Sequence, residues 1–432
     1  MNKNATIVSA SCITPLGRGL KENWDALCLK KNGIKLISRF DPSAFKVPYA
    51  GEIDENYRDL LPLQGRSMIT KQNAYLIWSV LDAWKTLKCE EDITKHLENF
   101  SVYVGTGYMA SPERTYEHLL KLSRNEKDIV SLNEFCKNHM KTPPLDIVKT
   151  MATAANNFIA KTLNIHGGGN PIFNGDTSSI TALNQAVKDI ETGKVKHAIV
   201  ASSEYYIYSY IYYILMGCTA FQISKNYKNP NPSEVSRPFD INANSPILSE
   251  GAACMILTSE PNLWKNSINE KQIVLNSGAT NIFANNQKTL FDYETKSFKK
   301  NMEETLKLSG KKSKDIDLIF PFCTSNYEND AQELKAIAEI FGDNGYNLIS
   351  SKGNLGFMSG TSGLLDCILA YKSMKENTLF PLKNFNSLNP KVEKRLEYTI
   401  SKDLIRKEFR TSMVVSAGMG GFYSSIVLEK GN

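Results

Sequence analysis

Residues 175–204, GDTSSITALNQAVKDIETGKVKHAIVASSE, decide the fold. SSITALNQAVKDIETG (178–193) has the apolar spacing of an amphipathic helix, and HAIVASSE (197–204) reads as a strand. A second stretch, GTSGLLDCILAYKSMKENT (360–378), parallels GDTSSITALNQAVKDIETG (175–193). Working outward, the repeat extends. ATIVSASCIT (5–14) reads as a buried strand, and IVLNSGATN (273–281) resembles it. SVYVGTG (101–107) enters a glycine turn, and DLIFPFCTSN (317–326) takes the corresponding place. Residues 68–87 and Leu145–Leu163 have helical periodicity, and 412–430 reads as a closing hairpin of strands. Residues 124–143 are polar and read as an exposed excursion. Strand–helix–strand text of this kind gives a parallel α/β sheet. Two similar halves are expected, 1–257 and 258–432.

The chain has 432 residues, 42% hydrophobic and 22% charged, enough to bury a large core without disulfides. Lys+Arg is 51 and Asp+Glu 45, so the formal charge is 51 − 45 = +6. The lysines are scattered, which argues against a nucleic-acid stripe. An acidic carrier protein is a more modest match to such a surface. Eight cysteines without a CxxC argue against zinc and fit a reducing, cytoplasmic setting. The opening MNKNATIVSASCITPLG does not read as a signal peptide, and no apolar run is long enough to span a membrane.

Generic motifs carry little. Gly105-Thr106-Gly107 lacks the third glycine and the acidic partner of a dinucleotide fingerprint. There is no Walker A, HExxH or GxSxG. His96, His118, His139, His166 and His197 lie in polar or loop text without metal spacing, so surface or capping roles are expected. Ser178-Ser179 stand at a helix start, where serine usually caps.

As an ordered set, several pieces resemble the condensing enzymes of the β-ketoacyl-carrier-protein synthase type. They are ATIVSASCITPLG (5–17), RFDPSAF (39–45), VGTG (104–107), SRPFD (236–240), LSEGAACMIL (248–257), NDAQELKAIAEIFG (329–342), SSKGNLG (350–356) and SAGMGG (416–421). The resemblance implies an α/β, thiolase-like fold of duplicated βαβαβαββ halves in five layers, αβαβα, usually as an obligate dimer. The family's chemistry uses a Cys thiolate, two histidines and a supporting lysine, with no cofactor or metal. Counted back from Ala201-Ser202-Ser203-Glu204, the Cys position falls on Asp176. In the HGTxTxxxD pattern the histidine position is Phe322, with Thr324, Ser325 and Asp330 retained. In KxxxGH, Lys352 and Gly356 stay, but the second histidine is Phe357. The gate loop reads Gly418-Met419-Gly420-Gly421.

A carboxylate attacking a thioester gives a mixed anhydride of higher energy, and Phe donates no hydrogen bond to an enolate oxygen. Losing one oxyanion donor costs on the order of 10²–10³ in rate. This pattern resembles the chain length factors, silent partners of a ketosynthase in type II polyketide synthases. That subclass often has Gln at the Cys position, so Asp176 is a departure. RFDPSAFKVPYAGEI (39–53) and LLPLQGRSMITKQ (60–72) read like the aromatic-polyketide members. The resemblance implies a ketosynthase heterodimer that meets acyl carrier protein through the complex. It also implies a chain-length gate on the helix after VGTG, with Ser111, Arg114, Thr115 and His118 as candidates. Leu145–Leu163 and Pro171–Thr177 are the interface candidates. Two other readings stay open: a silent subunit for a polyene or aryl-polyene chain, and an acyltransferase or hydrolase using Asp176.

Overall fold

A computed structural model describes residues 3–54, 56–60, 69–87, 93–107, 113–141, 145–217, 231–264, 271–284 and 291–431. The first half supplies β1 (Ala5–Thr14), α1 (Lys71–Lys85), β2 (Phe100–Gly105), α2 (Ala152–Leu163), β3 (Gly169–Ile172), α3 (Ser178–Glu191), β4 (His197–Glu204) and β5 (Gly251–Thr258). The second supplies β6 (Ile273–Asn276), α4 (Thr295–Leu308), β7 (Leu318–Phe320), α5 (Tyr327–Phe341), β8 (Asn347–Leu348), α6 (Ser362–Glu376), β9 (Thr411–Gly418) and β10 (Phe422–Lys430). Each half is therefore βαβαβαββ.

The strands run β8-β7-β9-β10-β6-β1-β5-β4-β2-β3 across one continuous ladder. Read from either end, the order is the same. In each half the three outer strands pair parallel and the rest antiparallel. The halves meet at a two-residue antiparallel ladder, Ala5↔Leu275 and Thr6↔Val274. Helices α3 and α6 pack against each other between the sheets, while α1 and α2 cover one outer face and α4 and α5 the other. This is the five-layer, thiolase-like arrangement expected from the resemblance.

The central helices show why. Residues 362–370 of α6 are all buried, as a helix covered on every side requires. Gly363 lets the axes close: a Cβ there would stand 2.5 Å from Ile180 Cγ1. The Leu364 N–H donates to Ser179 Oγ at 3.0 Å, tying the two helix starts together. Gly363→Val should therefore cost about 1–3 kcal/mol by overpacking, read as a lower urea midpoint with unchanged slope.

Several local expectations need correction. Leu145–Leu163 is two helices, Leu145–Thr150 and Ala152–Leu163, because Met151 is extended (φ −66°, ψ 138°). The excursion contains a helix, Leu132–Asn138, capped by Ser131. The strand in 317–326 stops at Phe320, before Pro321, which has no N–H for the ladder. Ser178 and Ser179 do not cap: the Ser178 hydroxyl donates to the Thr106 and Gly175 carbonyls, at 2.9 and 2.7 Å. His197 is neither surface nor loop. It opens β4 fully buried, 4.8 Å from the Phe100 ring, with Thr258 Oγ1 at 2.9 Å from its Nδ1. Burial, against the pull of Glu260, lowers its pKa to about 4, so it is neutral.

Among the described residues, no helix is long and apolar enough to cross a membrane. No group of three or more His, Cys, Asp or Glu among them is placed to hold a metal ion.

Candidate functional site

Asp176 stands in a short turn, Gly175–Thr177, that feeds α3. Gly175 takes the left-handed conformation (φ +56°) this turn needs. The carboxyl is buried, and Ser359 donates its hydroxyl to Asp176 Oδ1. Ser359 comes from the matching turn, Ser359–Thr361, that feeds α6. The two helix starts therefore face each other across the repeat.

Phe322 follows the end of β7, and Phe357 follows the Lys352–Leu355 turn. Their ring centroids are 5.4 Å apart at 89°, and Tyr293 meets Phe322 at 5.4 Å and 79°. These are edge-to-face contacts, the favourable geometry for packed aromatic rings. Asp176, Phe322, Phe357 and Ser359 all line one cavity of about 40 Å³, with room for a few waters. Tyr206, Tyr293, Thr324, Asn326 and Asn329 complete much of its wall. The three positions singled out by the resemblance thus converge.

Buried carboxylates from α5 hold the loop that carries Phe322. Glu333 accepts the Phe322 and Cys323 N–H groups, each at 2.8 Å. Asp330 accepts from Thr324, Ser325, Asn326 and Phe239 N–H at 2.9, 3.1, 3.2 and 3.4 Å. Burial pushes both carboxyls up against these donors. Lys352 Nζ donates to Asp366 Oδ2 at 2.8 Å and to the Pro321 carbonyl at 3.2 Å, with both side chains buried. Burial raises the Asp366 pKa, and Lys352 holds it back.

The gate-loop residues close the hairpin between β9 and β10. Gly418 ends β9, and Gly420 and Gly421 turn at φ +82° and +85°. This hairpin abuts the site: a Cβ on Gly418 would lie 3.2 Å from Asp176 N, and Ser416 Oγ donates to the Asp176 carbonyl at 2.9 Å. Of the chain-length candidates, Ser111 lies outside the described residues, Arg114 and Thr115 lie on the helix Glu113–Leu122, and His118 on that helix is exposed. The sequence reading missed Ser359, Tyr206, Tyr293 and Glu333. Only Ser359 had a local signal, a polar residue two positions after Phe357 in a glycine-rich turn.

Burial raises the Asp176 pKa to about 6, opposed by the Ser359 hydrogen bond. The folded state holds this proton more tightly than the unfolded state does, so stability falls as pH rises from about 4 to about 6. Asp176→Asn removes that dependence. Its advantage over the wild type should grow across this window to about 3 kcal/mol and stay level above it, read from denaturant midpoints at a series of pH values.

Family models match most of the chain: the β-ketoacyl synthase N-terminal domain over residues 3–262 and the C-terminal domain over 274–386. The 3-oxoacyl-[acyl-carrier-protein] synthase 2 of Coxiella burnetii is 24% identical over 437 residues, covering 99% of each chain. The actinorhodin polyketide putative beta-ketoacyl synthase 1 of Streptomyces coelicolor is 22% identical over 436 residues, covering 99% of this chain and 89% of the relative. Among solved structures, the ishigamide ketosynthase/chain length factor superposes over 100% of both chains, with TM-score 0.83 and 15% identity. A type II polyketide synthase acyl-carrier protein complex with its ketosynthase bound to the hexaketide gives TM-score 0.81 and 16% identity, again over 100% of both chains. With both domain models matched in order along a duplicated thiolase-like fold, the chain belongs to the β-ketoacyl synthase family.

Proposed function

We propose that this protein is the silent subunit of a ketosynthase heterodimer, a chain length factor. It would help to set chain length while its partner condenses malonyl units on acyl carrier protein, in a route to an aromatic polyketide. One observation carries the reading: the Cys and two His positions of the family's pattern converge on one cavity as Asp176, Phe322 and Phe357. The Phe–Phe contact occupies the space where two hydrogen-bond donors would act. Lys352 then serves packing, through its ion pair with Asp366.

A partner surface is also available. β3 ends the ladder, and among the described residues no strand lies beside its outer edge. Phe173, next after β3, and Val148 and Met151, just before α2, are about half exposed, at 51%, 49% and 48%. Unpaired strand edges flanked by apolar side chains are where another chain adds. The interface candidates Leu145–Leu163 and Pro171–Thr177 contain these three residues.

The test is co-expression of the tagged chain with the ketosynthase encoded beside it, followed by native mass spectrometry. A one-to-one heterodimer is expected. A stable homodimer that retains no ketosynthase would refute the assignment. Substitutions at Arg114, Thr115 and His118 would then be read as altered product length.

A further inference from the structure

Asp176 is a buried carboxyl without a counter-charge. Its side chain accepts one hydrogen bond, from the Ser359 hydroxyl to Oδ1, and among the described residues Oδ2 accepts none. Buried carboxylates are normally paired or amply hydrogen-bonded. Elsewhere this chain follows that rule: Glu250 has Arg39, Asp366 has Lys352, and Asp330 has four backbone N–H groups. Glu204 brings a second carboxyl close by: a Cβ on Gly107 would lie 2.8 Å from both Glu204 Oε1 and Ser359 Oγ. Five aromatic side chains line the same cavity, Tyr206, Phe291, Tyr293, Phe322 and Phe357. Phe322 meets Phe357 at 89° and Tyr293 at 79°. Rings at right angles make a corner, and a guest in that corner lies over ring faces. Those faces carry the negative part of the ring quadrupole. Carboxylate and ring faces therefore attract the same guest, a cation. No group of three or more His, Cys, Asp or Glu among the described residues is placed to hold a metal ion, and aromatic faces suit an organic ammonium.

We propose that this cavity binds a small organic ammonium, with Asp176 as its counter-ion and Tyr293, Phe322 and Phe357 as its cage. The cavity, about 40 Å³, limits the guest to a few heavy atoms, as in methylammonium. An N–H of the cation donates to Asp176 Oδ2, and its methyl group packs on the rings. The cation supplies the missing counter-charge, so binding favours the ionised carboxyl and releases the Asp176 proton. This goes beyond the silent-subunit reading, which gives the cavity no ligand.

The test titrates the full chain with methylammonium chloride at constant ionic strength, balanced with sodium chloride. Binding is read in proton NMR as saturation transfer from aromatic protons to the methyl group. Saturable binding is expected at pH 8. With an Asp176 pKa of about 6, affinity should fall about 10-fold by pH 5, where about a tenth of the carboxyl is ionised. Asp330 and Glu333, which hold the Phe322 loop, titrate near 7, so a midpoint near pH 6 assigns the fall to Asp176. Asp176→Asn should abolish binding, and Phe357→Leu should weaken it about 5–30-fold. Methanol, a neutral molecule of similar size, should not compete. Four results would overturn the proposal: no saturable binding to the wild type, an affinity equal at pH 5 and pH 8, equal binding to Asp176→Asn, or competition by methanol. The first two need only the wild type, so a variant that fails to fold leaves the test intact. None of these results bears on whether the one-to-one ketosynthase complex forms.

Discussion

Lys352→Met should destabilise the chain by about 3–5 kcal/mol at neutral pH, the cost of leaving a buried charge without its partner. Asp366 would lose the ammonium 2.8 Å away, and the Pro321 carbonyl would lose a donor. The same cation also pulls down the pKa of Glu333, which holds the Phe322 loop. Asp366 can answer by taking a proton, since burial already raises its pKa. The deficit should therefore shrink as pH falls. Lys352→Met combined with Asp366→Leu should recover most of the loss, because replacing a whole buried pair by apolar groups is often neutral. Urea midpoints at several pH values check all three statements. If the single variant matched the wild type, the ion pair would not be what holds this loop.

Asp176→Cys alone should leave condensing activity undetectable. A thiol there regains a nucleophile, yet Phe322 and Phe357 still offer no donor to an enolate or oxyanion. Each missing donor costs on the order of 10²–10³, and groups that act together are lost together. Asp176→Cys with Phe322→His and Phe357→His restores every group the family's pattern asks for, and it is the informative comparison. Malonyl-carrier decarboxylation, followed by release of carbon dioxide, measures both variants. Turnover by the single variant would mean that the aromatic pair is not the block, and the silent-subunit reading would lose its main support.

Much of this was legible in the sequence. The repeat could be read because α3 and α6 carry matching text, and that text follows from one physical demand, a helix start buried against its twin. Asp176, Phe322 and Phe357 could be located because the surrounding pattern residues survive in order. What could not be read depends on contacts between distant residues. The Ser359–Asp176 bond joins positions 183 apart. The neutral, buried state of His197 depends on Phe100, Trp264 and Thr258 closing around it. The break at Met151 is a backbone choice inside text that remains helical in period.

The outer edge of β3 has one further property. Val102 N donates to Gly168 O and Thr106 N to Ile172 O, so even-numbered residues face inward and the odd-numbered ones face out. Position 171, in the middle of that outward row, is proline and has no N–H to offer. An arriving strand finds donors at Gly169 and at Phe173, while position 171 offers only its carbonyl. The edge is thus a lock with a missing pin: a strand whose own pattern tolerates the gap can seat, while a stray copy aligned as a continuous ladder loses a bond at the centre. Proline at such a position guards against indiscriminate sheet growth and still leaves the docking row open to a partner shaped for it.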